Sequence, residues 1–407
     1  MRALLIAPDQ PWPQARHGAA QRTELLRRSL ASLCQTDLAV ACIAAGEAEP
    51  AAEHIVRVFH EPAGGEPARR RALADRLYPL PQLKRGIDDF YRRKPDLEAW
   101  CRAELETGRY SFVVIRYLRV AALSGLLERP PAVPVFLDFD DVDWLKEAGR
   151  LADLKLPLRW RLAFQLANRH RERLGRRLAA RATHLWFASP AECAEMLPLS
   201  CSLLPNIPFA LPTRPAPPEP GGPPMVLFVG LLNYAPNCEG LDRFIRGSWP
   251  RVRAKHPEAR LRVVGKGLDA QLAERWQQTD GVEWVGYVDD LACEYAASNC
   301  TLCPVYWGGG SNIKVLESIA HRRACVVSPR VARQLGAWLT PQHGVVEARD
   351  DASFADEVVA LLTGDPAADA KVERGRQVLE QQLSFDAFAA TVRKDVLAGL
   401  GTRGTAW

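Results

Sequence analysis

The residues best suited to chemistry sit in one segment, PVYWGGGSNIKVLESIAHRRACVVS, residues 304–328. An apolar run ends at Tyr306, three glycines follow, and the spacing predicts a helix starting near Ser311. The first amides of a helix lack partners, and the helix dipole adds positive charge there. Gly309 and Gly310 would let a phosphate approach the backbone, with Ser311, Asn312 and Ile313 opening the helix behind them. Lys314, one turn in, would pair with phosphate oxygens. Glu317 follows at i+3 on the same face, where a carboxylate can accept hydrogen bonds from a ribose. An ordinary glycine turn would leave Lys314 and Glu317 as a solvated pair. The apolar run before the glycines and the IKVLESIA pattern after them favour a strand–loop–helix phosphate cradle.

Other groups fall at predicted strand ends. Lys266, in VVGKG, follows a strand, where open α/β sheets bind ligands, although the motif lacks dinucleotide GxGxxG spacing. In HGAAQR, Gly18 would admit a phosphate and Arg22 would face it from the first helical turn; a simple loop-to-helix turn is the equal alternative. Arg116 and Tyr117 follow the run SFVVI, and by position they line the same region. Asp138, Asp140, Asp141 and Asp143 crowd another strand end, a composition that suits either a hard cation or hydroxyl contacts. Cys300 and Cys303 have CxxC spacing, but no second pair completes a metal set, so they read as buried small residues on a strand.

The elements that must position these groups follow from the pattern. Residues 213–224, TRPAPPEPGGPP, hold six prolines and two glycines and read as a linker. Before it, residues 1–212 alternate strands (3–7, 38–43, 111–115, 133–139, 184–189) with helices; residues 60–108 resist placement. After it, strands at 225–230, 260–265, 282–286, 300–306 and 325–328 alternate with helices, including one continuous helix over LDRFIRGSWPRVRAKH. Repeated βα units imply parallel sheets covered by helices, so the expected fold is α/β with two Rossmann-like domains. The domain divisions are 1–212, 225–384, and a last helix over 385–407 expected to return to the first domain.

Composition narrows the class further. The 407 residues are 47% hydrophobic and 25% charged, ordinary for a globular chain, and no apolar run approaches the ~18 residues of a membrane span. Pro8 and Asp9 end the first apolar run too early for a signal peptide, so a cytoplasmic location is expected. Residues 1–212 carry 31 Lys and Arg against 25 Asp and Glu; the remainder carries 22 against 23. Much of that excess lies between Lys155 and Arg181. Two readings stand side by side: an anionic partner such as a membrane surface, or the solvated face of an Arg-rich helix. No nucleic-acid partner is expected.

The segment 304–328 resembles the donor site of the group 1 glycosyltransferases, which are retaining enzymes of GT-B fold, and is similar to bacterial members that build exopolysaccharide or surface glycans. VLFVGLLNYAPNCEGLDRFI (226–245), LRVVGKG (261–267), VEWVGYVDDL (282–291), LLPNIPF (203–209) and VFLDFDDVDW (135–144) match in order. The resemblance implies two domains facing across a cleft, a nucleotide-sugar donor, a glycan or lipid-linked acceptor, and no bound metal or cofactor. It places Lys314 and Glu317 at the donor, with Gly230, Asn233, Asn237 and Lys266 near its phosphates and Gly286 and Tyr287 near its base. It also gives Asp140 a catalytic role from the first domain, where Gly18, Arg22, Arg116 and Asp141 fall on the acceptor side by their positions in the chain. Four places depart from the family pattern: Gly309 stands where many members have a first glutamate, the loop Asn233–Asn237 where others carry Arg and Lys for the phosphates, Asn312 where an arginine is common, and Asp140 where His is frequent. Two other functions share this architecture, a nucleotide-sugar epimerase and a non-catalytic donor-binding scaffold.

Overall fold

The computed structural model describes residues 1–8, 18–43, 52–60, 93–153, 157–208, 212, 222–308, 312–364 and 366–401. The chain divides into two compact units, one of Met1–Phe209 with Phe385–Trp407 and one of Ala210–Ser384. All but three residues of the proline-rich segment 213–224 lie outside the described residues.

The first unit is built on seven parallel strands: β1 (Arg2–Ala7), β2 (Gln35–Ile43), β3 (Ile55–His60), β4 (Phe112–Arg116), β5 (Val135–Asp140), β6 (His184–Phe187) and β7 (Cys201–Leu203), in the order β3-β2-β1-β4-β5-β6-β7. The central strands RALLIA, FVVIR and VFLDFD read as near-continuous apolar runs because helices cover both of their faces. Those helices are α1 (Gly18–Ala31), α2 (Pro95–Glu106), α3 (Leu118–Ser124), α4 (Asp143–Asp153), α5 (Leu158–Ala179) and α6 (Pro190–Glu195). Ile6, Val113, Ile115, Leu137, Phe139 and Phe187 form the heart of the core.

The second unit has six parallel strands: β8 (Met225–Val229), β9 (Arg260–Val264), β10 (Val282–Gly286), β11 (Cys300–Cys303), β12 (Ala324–Val327) and β13 (Val345–Glu347), in the order β10-β9-β8-β11-β12-β13. Its helices are α7 (Ala235–Gly247), α8 (Trp249–Lys255), α9 (Ala270–Gln277), α10 (Leu291–Ala297), α11 (Ile313–Ala320), α12 (Pro329–Leu335), α13 (Asp351–Thr363) and α14 (Pro366–Gln382). The single helix expected over LDRFIRGSWPRVRAKH is in fact two. Pro250 has no N–H to return to the preceding turn and its ring clashes there, so α7 closes at Gly247 and α8 restarts at Trp249. Cys300 and Cys303 are buried on β11, and burial pushes the Cys300 thiol up to about 12.

The last helix, α15 (Phe385–Gly401), belongs to the first unit. Asp395 fixes it there, accepting from Trp186 Nε1 at 2.9 Å and Ser202 Oγ at 2.5 Å. Phe385 and Phe388 lie under the guanidinium groups of Arg28 and Arg22, 4.7 and 5.7 Å from the ring centroids. Among the described residues, no helix is long and apolar enough to cross a membrane.

Candidate functional site

In each sheet the strand order reverses direction once, at β1/β4 in the first unit and β8/β11 in the second. Ligands of open α/β sheets bind outside the carboxyl ends of the strands at such a point.

At the second reversal Lys314, Asn237 and Gly230, three of the predicted donor residues, come together. Lys314 Nζ donates to Asn237 Oδ1 at 2.5 Å and lies 5.0 Å from the Phe228 ring centroid. Asn237 Nδ2 donates to the Leu231 carbonyl at 2.9 Å, which turns Oδ1 toward the lysine. Gly230 adjoins both: a Cβ there would sit 3.0 Å from Asn237 Nδ2 and 3.2 Å from Lys314 Nζ. Among the described residues, the hydrogen-bond partner of Lys314 is therefore an amide, not a carboxylate. Its ammonium stays available to an anion.

Two glycines make this crowding possible. Gly265 follows β9 at φ 156°, and any Cβ on it would overlap the Gly230 carbonyl oxygen. Gly308, at φ 95°, packs so closely that a Cβ would reach within 2.6 Å of the Tyr234 hydroxyl. The loops after β8 and β9 thus touch backbone to backbone, and the loop after β11 packs on the Tyr234 and Pro236 side chains. Asn233 packs against Gly267, and the Leu232 amide donates to the Lys266 carbonyl at 2.8 Å. The Lys266 ammonium lies 4.1 Å from the ring centroid of Tyr287, which is 42% exposed just after Gly286 (φ 81°). That cation and ring form a second cluster, at the ends of β9 and β10.

Gly309, Gly310 and Ser311 lie outside the described residues. Helix α11 opens at Ile313, two residues later than expected, because Asn312 stands in the left-handed region at φ 48°. The Asn312 amide turns away from the helix start to Gln334, donating at 2.8 Å, and does not cap the first turn. Glu317 is half-buried and accepts from the Tyr295 hydroxyl at 3.3 Å. Burial pushes its carboxyl up, only partly opposed by Tyr295 and Lys314. Tyr295 in turn lies flat on His321, with centroids 4.5 Å apart. Tyr295 is a contact that sequence reasoning missed; nothing local in CEYAAS signals it, since its partner is 22 residues away.

The first reversal differs from expectation. Arg22 does not face a ligand from the first turn of α1: its side chain is fully buried, with Nη2 2.6 Å from Asp138 Oδ1 and Nη1 2.9 Å from Asn206 Oδ1. Arg116 is also buried, donating to Asp138 at 3.0 Å, Asp140 at 2.8 Å and the Ala19 carbonyl at 2.6 Å. Buried charges persist only when paired, and here two arginines and two aspartates balance. Asp140 stands at φ 59°, and both of its oxygens are engaged, by Asn206 Nδ2 on one and by Arg116 and the Tyr117 hydroxyl on the other, each at 2.8 Å. Burial alone would raise its carboxyl, but Arg22, Arg116 and these hydrogen bonds outweigh it and hold it below the usual range. Asp141 faces Lys146 at 3.5 Å, and Gly18 is exposed at the start of α1. Glu192, also missed, accepts from the Val142 amide at 3.2 Å; burial and nearby Asp141 push it up to about 8.

Residues 223–364 match the family described as glycosyl transferases group 1. That match lies within the second unit. Solved structures similar to the whole chain extend this to the fold. The sucrose-phosphate synthase of Thermosynechococcus elongatus aligns over 98% of this chain and 99% of its own, with TM-score 0.67 and 18% identity. An E. coli trehalose-6-phosphate synthase bound with UDP-2-fluoro glucose aligns over 97% and 98%, with TM-score 0.62 and 11% identity. WaaG, a glycosyltransferase involved in lipopolysaccharide biosynthesis, aligns over 96% and 98%, with TM-score 0.58 and 14% identity. At these identities the likeness establishes the fold: two parallel sheets with helices, as in GT-B glycosyltransferases. No curated protein sequence is significantly similar to this one.

Proposed function

We propose that this glycosyl transferase domain moves a sugar from a nucleoside diphosphate to a hydroxyl of a glycan or lipid-linked glycan, with retention at the anomeric carbon. The observation that carries the reading is Lys314, held by an amide beside Gly230 at the start of α11. As the glycosidic bond breaks, the departing diphosphate gains negative charge. A fixed cation and helix amides stabilise that charge without reorganising. The acceptor oxygen attacks the same face of the sugar, and its proton passes to a leaving phosphate oxygen. We assign the diphosphate charge to Lys314 and backbone amides and invoke no metal. Glu317 holds the ribose, and the exposed Tyr287 ring takes the base. A lipid-linked acceptor would place the enzyme at the cytoplasmic face of a membrane. The nucleotide sugar bound to the trehalose-6-phosphate synthase neighbour supports a donor of this class.

The test is a panel of nucleotide sugars scored by melting temperature, then by transfer. A donor at a hundredfold its Kd should add about 2.7 kcal/mol and raise the melting point by several degrees. If no nucleotide sugar raises it, the reading falls. Donor turnover that needs water alone would identify an epimerase instead.

A further inference from the structure

Helix α5 (Leu158–Ala179) has a two-part face. Leu158, Leu162 and Leu166 are 71%, 51% and 64% exposed. At about 100° per residue, their i, i+4, i+8 spacing stacks them on one side of the helix, over roughly 12 Å of its length. Arg169, Arg173 and Arg177, all exposed, continue the same stripe for the next two turns. Arg159 and Arg161 flank the leucines on either side and are also exposed. The only acid in the helix, Glu172, is drawn off to Arg176 at 2.9 Å. The opposite side is the one that packs: Asn168 Nδ2 donates to the Trp144 carbonyl at 2.8 Å, and Gly175 sits where any Cβ would overlap the Trp144 ring.

A solvated helix face does not stack three leucines in water, and a phosphate-binding face does not need them. Pairing two copies through the whole of this face would set arginines against arginines if parallel, or leucines against arginines if antiparallel. Leucine followed by arginine along one stripe, with arginine at the sides, instead fits an interface that is apolar below and anionic above. We infer that α5 docks on an anionic lipid surface, its leucine end entering the acyl boundary and its arginine end lying on the headgroups. The helix would therefore sit tilted, with Arg159 and Arg161 reaching back to phosphates. This deepens the reading of a lipid-linked acceptor and rests on that reading only for its purpose. Docking can be measured with neither donor nor acceptor present, so it can fail without sugar transfer failing.

The experiment is co-sedimentation of the full chain with phosphatidylcholine vesicles, with and without about one-third phosphatidylglycerol. Binding should be at least ~10-fold stronger to the anionic vesicles. Leu158→Gln, Leu162→Gln and Leu166→Gln together should weaken it by ~10-fold or more, with the melting temperature unchanged. Arg169→Gln, Arg173→Gln and Arg177→Gln together should weaken it at low salt, by a margin that shrinks as salt rises. Equal binding to neutral and anionic vesicles would overturn the inference. So would a leucine variant that binds like the unsubstituted protein, or one whose only change is from dimer to monomer.

Discussion

The two units place the same kind of crevice at the same kind of strand reversal and fill it in opposite ways. At β1/β4, the cations Arg22 and Arg116 are sealed inside and matched by Asp138 and Asp140. At β8/β11, Lys314 is steadied by the Asn237 amide. Topology supplies the crevice in both cases. Whether a cation there serves the fold or a ligand depends on whether a carboxylate is built beside it. An arginine sealed from solvent against Asp138 has its charge already matched, whereas an amide partner neutralises nothing.

The largest effect should come from breaking the balance in the first unit. Asp138→Ala leaves two buried guanidinium groups with half their counter-charge and should lower stability by about 3–5 kcal/mol in urea unfolding. Lys314→Ala should lower it by less than ~1 kcal/mol. Equal losses would erase the distinction between the two sites.

For catalysis the order reverses. Lys314→Ala should reduce turnover by ~10²-fold or more at saturating donor, while donor affinity falls far less. Lys314→Arg should restore only part, because a planar guanidinium meets a phosphate differently. Full turnover in Lys314→Ala would move the leaving-group cation elsewhere, with Lys266 next in line; Arg22 is already engaged by Asp138.

Smaller effects concern the two carboxylates and acid. Asp140 is held below the ordinary carboxylate range, so its stabilisation is complete above ~4 and is lost as pH falls through its lowered value. Glu317 is pushed up, so the folded protein binds its proton more tightly than the unfolded chain does. Its contribution therefore improves as pH falls through the raised value. Glu317→Gln should match or exceed the unsubstituted protein by ~1 kcal/mol at pH 7, with the gap closing on mild acidification, and should still weaken donor binding. Asp140→Asn should be less stable at pH 7 by ~1–3 kcal/mol, with its gap closing only in stronger acid. Thermal midpoints across pH 3–7 that run parallel for both variants would refute the contrast.

The central strands were legible in sequence because burial on both faces writes them as apolar runs: RALLIA, FVVIR, VFLDFD, MVLFV and CTLC. The strands that were not legible, β3, β7 and β13, are all sheet edges. β7 and β13 have only three residues each, and β3 is largely exposed, so none needs a long apolar stretch. Helix α14 escaped notice for a related reason: PAADAKVERGRQVLEQQ is mostly polar.

The motif proposed to hold the donor belongs to the sequence. A glycine run between an apolar strand and a helix, with Lys314 one turn in, is local and survives any docking of the rest. The sequence also put Arg116 and Asp140 at strand ends and Arg22 at a helix start, and there its information stopped. Asp138 is 116 residues from Arg22 and 22 from Arg116, and Asn206 is 184 residues from Arg22. Only the packed sheet brings them within hydrogen-bond reach. The same holds for Asn237, whose amide meets Lys314 across 77 residues. The sequence could say where charges stand along the chain; which of them are neutralised is decided by burial and by partners that only the tertiary fold supplies.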